Sequence, residues 1–325
     1  MKKKSLFFSI VLVLGLSMIL AACGGGGNQG SGNQDSGKQF VSIVTGGTGG
    51  TYYPLGGAMA DIITDNTGIE ATAQSSGASA ENMQTLADGE ADIAFVQTDI
   101  ASYATEGKLM FEENAIDNVQ AIGTLYPETI QIVTLADSGI NSVEDLRGKT
   151  VSVGAPGSGT FANAEQILEI HGMTMDDIKA QHLAFDESTE GIQDGNIEAA
   201  FITSGTPTGS VEALSAVKGV KLLPLAEDKI DALIAKYPYY AKDVVAAGTY
   251  GLEVEVTTVA VLAMLVVSSD LADDDVYDIT KAIFENTDKI THAKGKLITA
   301  ESALDGVGIE LHPGAAKYFE EKGLK

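Results

Sequence analysis

The sequence predicts an α/β fold built as two lobes, and three observations predict it. The first is an internal echo. Val41-Ser42-Ile43-Val44 leads into Gly46-Gly47-Thr48-Gly49-Gly50-Thr51, and that half ends in Asp88-Gly89-Glu90-Ala91-Asp92-Ile93-Ala94-Phe95-Val96-Gln97-Thr98. Thr150-Val151-Ser152-Val153 leads likewise into Gly154-Ala155-Pro156-Gly157-Ser158-Gly159-Thr160. It ends in Asp194-Gly195-Asn196-Ile197-Glu198-Ala199-Ala200-Phe201-Ile202-Thr203-Ser204. The second observation is the order within each half: strand, glycine loop, helix, then a strand ending in a polar turn. That order is the mark of a mostly parallel sheet with helical crossovers. The third is length, since residues 40–325 suit two lobes of roughly 100–200 residues each. Polar loops at the C-terminal strand ends of two such lobes would face one another across a ligand cleft.

The first 22 residues read as a removable signal. Lys2-Lys3-Lys4 form a basic start, and residues 6–20 an apolar run too short to span a membrane comfortably. Leu20-Ala21-Ala22-Cys23 fits a bacterial lipoprotein box, in which Cys23, the only cysteine, is lipidated and becomes the first mature residue. The mature chain then has no free thiol and no disulfide, so its fold relies on its core. Residues 24–39 hold no aliphatic or aromatic side chain; with Cys23 they form a lipid-anchored tether (23–39) whose span as a Gly-rich coil is about 20–25 Å. The chain carries 45 acidic and 20 basic residues, a net charge of −25. Removing residues 1–22 takes away three lysines and no acids, so the charge becomes −28. Such a surface repels nucleic acid and anionic lipid headgroups, which leaves the lipid as the membrane anchor on the extracytoplasmic face. No nucleic-acid partner is expected, and the folded body is expected to be a monomer.

Along the chain, a helix starting near Pro54 carries Leu55, Met59, Ile62 and Ile63 on one face, and Gly68 closes it before a strand at 69–74. Ser79 precedes Glu81-Asn82-Met83-Gln84 as an N-cap, and Asp88-Gly89 ends that helix before the strand at 92–96. The β-branched runs 129–135 and 257–267 are the two strands expected to cross between lobes. Lobe 1 is accordingly 40–128 with 265–325, and lobe 2 is 129–264. Ser142-Val143-Glu144-Asp145 caps a short helix before the second lobe's first strand. From Leu271 the pattern is helical, with Val276, Ile279, Ile283 and Phe284 on one face, and Pro313 opens a last short helix ending near Gly323.

The loops supply the candidate ligand-binding residues: Gly47, Thr48, Gly49, Tyr52, Ser79 and Gln97 in lobe 1, and Gly157, Ser158, Gly159, Thr160 and Ser204 in lobe 2. A glycine loop running into a helix presents free N–H groups and the positive end of the helix dipole, which together suit an anion. Ser158 and Thr160 add hydroxyl donors; a plain tight turn with a cap would use the same residues. Either Tyr52 or Tyr53 could stack on a ligand, and Tyr52 is preferred as the cleft residue. Ser79 could equally be a cap that never meets ligand. Asp99 could accept a ligand ammonium at the mouth, or serve as a helix N-cap.

Arg147 is the only arginine and lies in a Leu-Arg-Gly-Lys turn, so a bidentate clamp on a carboxylate is not expected. Neither glycine loop is followed by Lys-Ser/Thr, so a Walker A loop is absent, and residues 47–52 lack the last glycine of a dinucleotide fingerprint. Pro156 stands where a nucleophile elbow before Ser158 wants glycine. His171, His182, His292 and His312 lack metal spacing and read as surface or structural. No catalytic set assembles, and neither cofactor nor metal is expected.

Four segments then resemble one family: 45–56 (TGGTGGTYYPLG), 88–97 (DGEADIAFVQ), 145–160 (DLRGKTVSVGAPGSGT) and 311–315 (LHPGA). They are similar to the TAXI family, the solute-binding receptors of tripartite ATP-independent periplasmic (TRAP) transporters, over residues 40–325. The resemblance implies a periplasmic-binding-protein type II fold, two α/β lobes joined by two crossing strands. It implies a receptor that hands a small carboxylate or amino acid, of the glutamate, glutamine or 2-oxoglutarate kind, to an ion-driven TRAP permease. It also implies that Gly47, Thr48, Tyr52, Ser79, Gly157, Ser158 and Thr160 meet the solute. The better-known TRAP receptors grip a carboxylate with an arginine, for which Arg147 is not placed. Two other readings stay open: a binding protein for an ATP-driven importer or a sensor, and a lipoprotein enzyme acting on a small anionic metabolite.

Overall fold

The computed structural model describes residues 37–324. The expected signal segment, Cys23 and the tether up to residue 36 lie outside the described residues. In chain order the elements begin with β1 (Phe40–Val44), α1 (Tyr52–Thr67), β2 (Glu70–Gln74), α2 (Ser79–Ala87), β3 (Ile93–Gln97), α3 (Thr98–Glu106) and β4 (Val119–Leu135). Then come β5 (Thr150–Ser152), α4 (Gly159–Ile170), β6 (Lys179–Gln181), α5 (Phe185–Asp194), β7 (Ala199–Ser204), α6 (Gly209–Val217) and β8 (Val220–Leu222). The chain closes with α7 (Glu227–Lys236), β9 (Ala241–Val245), β10 (Val256–Ser268), α8 (Asp273–Glu285) and α9 (Pro313–Glu321).

The strands form one sheet in the order β2-β1-β3-β10-β4-β7-β5-β6, with β8 on β4 and β9 on β10. The sequence echo is therefore a sheet echo. In the first half β2-β1-β3 run parallel and meet β10 antiparallel; in the second, β6-β5-β7 run parallel and meet β4 antiparallel. The two long strands join the halves, pairing with each other from Ser268↔Val119 to Ala260↔Thr129. They are longer than the β-branched runs alone indicate, because Gly123, Pro127 and Glu128 interrupt the apolar pattern without breaking the strand.

Alternation along the strands places apolar side chains on both faces of each half. Phe95 packs with Leu55, Met59 and Ile63 of α1 and with Ile279, Ile283 and Phe319 of α8 and α9. Its neighbours Ala94 and Val96 face the other way, onto Met83 and Leu86 of α2 and Ile100 of α3. In the second half Phe201 meets Ile167 and Leu168 of α4 and Leu233 of α7, while Ala200 and Ile202 meet Val211 and Leu214 of α6. Four separate hydrophobic clusters thus cover the two halves, and the polar residues between them line the junction.

Candidate functional site

β1, β3, β5 and β7 all end at the junction, and the helices that follow them, α1, α3, α4 and α6, begin there. Between them lies a cavity with about 470 Å³ of space between its lining atoms, of which about 40 Å³ can hold the centre of a water-sized sphere. Gly46, Gly47, Gly50, Thr51 and Tyr52 line it from the first loop, Gly77 and Ala78 from the approach to α2, and Gln97 from the end of β3. Ala155, Ser158 and Thr160 line it from the second loop, with Ala184 and Phe185 at the start of α5 and Thr203 and Ser204 at the end of β7. Glu128 of β4 completes the lining.

Six of the eleven expected residues therefore meet in this cavity: Gly47, Tyr52, Gln97, Ser158, Thr160 and Ser204. Tyr52, not the exposed Tyr53, faces it. The other five do not line it. Thr48 and Gly49 lie on an outer groove with Asp186 and Ser210, and Thr48 is exposed. Ser79 is fully buried as the first residue of α2, and its hydroxyl accepts the Gln97 backbone N–H at 3.1 Å instead of capping. Gly157 uses its carbonyl to accept the N–H groups of Ala80 and Glu81, at 2.9 and 3.1 Å. That contact satisfies two of the free donors of α2's first turn with the opposite half of the protein. Gly159 packs on Gln97 and Ile100.

The junction is closed by contacts between the halves. Thr51 Oγ1 and Ser204 Oγ are 2.9 Å apart, and Ser204 Oγ also accepts the Thr51 N–H at 3.2 Å. Ser210 N–H donates to the Gly49 carbonyl at 3.1 Å, and Gln97 Nε2 to Asn163 Oδ1 at 2.8 Å.

At the start of α4, Ser158 has its hydroxyl buried without a hydrogen-bond partner among the described residues. Gly154 makes room for it: at φ +90°, any Cβ there would stand 2.5 Å from Ser158 Oγ. A buried, unpartnered hydroxyl costs free energy unless something else bonds it, and Ser158 is among the residues that line the cavity, which makes it a candidate ligand donor.

Glu128 is only 2 % exposed, and Tyr52 donates its hydroxyl to Oε2 at 2.5 Å. Burial pushes its carboxyl up to about 8; the Tyr52 hydrogen bond opposes this, the Asp99 charge adds to it, and Tyr126 and Lys294 oppose it. Burial first, then the Glu128 charge, raises the Tyr52 hydroxyl well above its ordinary value, so Tyr52 remains the donor. Asp99, expected at the mouth, instead sits fully buried in the first turn of α3, while Gln97 occupies the N-cap. Its oxygens take Gln97 Nε2 at 3.2 Å and Asn163 Nδ2 at 3.0 Å, and burial pushes it up to about 6. It is an internal cross-brace and does not line the cavity.

Sequence reasoning missed Glu128, although a signal existed: it is the only charged residue among the 17 of β4. The residue falls where the strand changes neighbours, one position before Thr129↔Ser204 pairing begins, opposite Val261. Thr51 and Phe185 were missed as well; nothing in their spacing distinguishes them from ordinary cap and core residues. Arg147 lies in its turn as expected, paired with Asp177 and donating to the Gly172 carbonyl at 2.9 Å. His312 is structural, its Nδ1 accepting the Gly314 N–H at 3.2 Å at the start of α9.

The sequence profile of the NMT1-like family matches residues 43–323. Among solved structures, a protein from Bordetella bronchiseptica RB50 is 17% identical with a TM-score of 0.55, covering 88% of this chain and 81% of that one. PhnD1 from Prochlorococcus marinus, in complex with methylphosphonate, is 12% identical with a TM-score of 0.53, covering 88% and 97%. The ligand-binding component of an ABC-type import system from Staphylococcus aureus, with zinc bound, is 12% identical with a TM-score of 0.51, covering 89% and 93%. At such identities the likeness is one of fold, the two-lobed α/β architecture expected from the sequence.

Proposed function

The chain belongs to the NMT1-like family, and from that premise we propose that it is an extracytoplasmic receptor that closes two lobes on a small carboxylate solute and delivers it to a membrane importer. The lobes are 40–128 with 265–325 and 129–264, a division that the separate hydrophobic clusters support. The observation that carries the reading is the cavity lined from both halves, with Ser158, whose hydroxyl is buried and unpartnered at a helix N-terminus, among its lining residues. Two helix starts, at Tyr52 and Gly159, bring partial positive charge to a cavity that no lysine, arginine or histidine lines. The reading is non-enzymatic: the solute is bound and released unchanged. Mass spectrometry of solute released from freshly purified protein, followed by calorimetry with the compound found, tests it. Recovery of a transformed product on incubation would refute it.

Ser158→Ala should weaken binding about 10-fold or more, since one buried hydrogen bond to a charged group contributes roughly 1.5–3 kcal/mol. Thr48→Ala should leave affinity within about twofold, because Thr48 is exposed outside the cavity. Equal losses in the two variants by calorimetry would place the solute elsewhere.

The ABC-type role of the Staphylococcus aureus neighbour supports an ATP-driven importer as the partner. The motifs at 45–56 and 145–160 favour a TRAP permease as the second reading. Uptake that stops on ATP depletion but survives collapse of the ion gradient selects the first; the opposite pattern selects the second. Among the described residues no helix is long and apolar enough to cross a membrane, and the proposed anchor is the lipid on Cys23. Cys23→Ala should move the protein out of the membrane fraction with solute affinity unchanged; a variant still fully membrane-bound would exclude the lipid as sole anchor.

A further inference from the structure

We propose that Glu128 is the acceptor for a basic nitrogen on the solute, so that the receptor selects small zwitterions, with an ammonium and a carboxylate, over carboxylates that lack the amine. The inference rests on the receptor reading and narrows its substrate class.

Four observations lead there. Glu128 is the one side chain lining the cavity that can carry charge in the neutral range, and that charge is negative. Its acceptor capacity is only half used: Tyr52 serves Oε2, while Oε1 has nothing closer than the Tyr126 hydroxyl at 3.5 Å. An ionised carboxylate offers about four acceptor sites, so an ammonium with three donors fits what is left. Glu128 makes no ion pair with any described residue; the cation whose charge reaches it, Lys294, is half-buried and is drawn to Asp243 ahead of Glu128. Finally, Glu128 stands on β4 one position before its pairing with β7 begins, while Ser158 holds the N-cap position of α4 in the second half, and both line the cavity. A solute with a positive and a negative group can satisfy both poles at once. A buried carboxylate without a cation is costly, and the ligand-free protein meets that cost by holding Glu128 protonated. An arriving ammonium pairs with the ionised form, and the proton leaves for solvent.

Isothermal calorimetry on the full mature chain and on Glu128→Gln provides the test. The ligands are L-glutamate, L-glutamine and the other common amino acids, with the amine-free partners 2-oxoglutarate, glutarate and 2-hydroxyglutarate. Each titration is repeated at pH 7 in two buffers of different ionisation enthalpy. The expected result is that the tightest ligand bears an amine and that its amine-free counterpart binds on the order of 100-fold more weakly. Binding should release close to one proton, and Glu128→Gln should lose on the order of 100-fold in affinity for the amine while unfolding as cooperatively as the parent. Equal or tighter binding of an amine-free acid, or unchanged amine binding by Glu128→Gln, overturns the inference and leaves the receptor reading standing. Binding by none of these compounds, nor by alkylsulfonates, alkylphosphonates or polyamines, overturns the receptor reading itself.

Discussion

Replacing Gly159 by alanine is expected to weaken solute binding about 5- to 150-fold while leaving both halves of the protein folded. Gly159 is the first residue of α4, and a Cβ there would stand 2.2 Å from Gln97 Oε1, 2.5 Å from Gln97 Cδ and 2.8 Å from Ile100 Cγ1. Neither neighbour can move aside cheaply. Gln97 is 3 % exposed and tied through Nε2 to Asn163 and Asp99, and Ile100 is wholly buried. All the displaced atoms belong to the opposite half, so the clash acts on closure and not on the packing of either core. Overpacking of this kind costs about 1–3 kcal/mol, which is roughly a 5- to 150-fold loss in affinity if closure carries it. Gly57 is the internal control. It lies in α1, and a Cβ at that position would have nothing within 4 Å of it. Gly57→Ala should therefore bind normally and gain up to about 1 kcal/mol in stability. Calorimetry measures the affinities, and small-angle scattering measures whether solute still compacts the variant. Wild-type affinity in Gly159→Ala would show that the solute is held without the closed junction.

The same position shows where sequence reading stops. The repeated strand, glycine loop and helix made the paired sheets legible, because period-2 apolar runs and glycine turns are local signals. The loops were legible as the cavity's neighbourhood for the same reason. Which loop residue faces solute was not, because that depends on the contacts made when the halves meet. Gly157 and Ser158 are adjacent, yet the first gives its carbonyl to α2 across the junction and only the second lines the cavity. Glycine beside serine reads identically in either role. Glu128 was hidden differently. As the single acid in a long strand it could be a solvated edge residue or a cavity-lining one, and the strand's neighbours decide between them. Asp99 and Glu128 carry the same group, and only the fold assigns one to a closed hydrogen-bond brace and the other to the cavity.

A second large effect is expected in the ligand-free protein: stability should fall as pH rises from about 4.5 to about 8, and Glu128→Gln should remove much of that slope. The unfolded chain gives up the Glu128 proton near 4.5, whereas the folded chain keeps it to about 8. Between these values the native state binds the extra proton, so raising the pH favours unfolding. Above the folded value both states are ionised, and the loss is complete. The groups facing Glu128 set its size: Asp99 works with burial, while the Tyr52 and Tyr126 hydroxyls and Lys294 work against it. Since one pKa unit corresponds to 1.36 kcal/mol, the wild type should lose on the order of a few kcal/mol across the window. That is a midpoint shift on the order of 10 °C at 2–4 °C per kcal/mol. Asp99, raised from 3.8 to about 6 by burial, adds a slope of the same sign at lower pH in both proteins, and because its charge acts on Glu128 the comparison is read towards pH 8, where Asp99 is ionised in both. Glutamine is neutral at every pH, so Glu128→Gln should match the wild type near pH 5 and exceed it increasingly towards pH 8. A solute that pairs with the ionised carboxylate should flatten the wild-type slope in the same way. Thermal melts of both proteins from pH 4.5 to 8.5 give the answer, and parallel curves would mean that Glu128 is already ionised in the ligand-free protein.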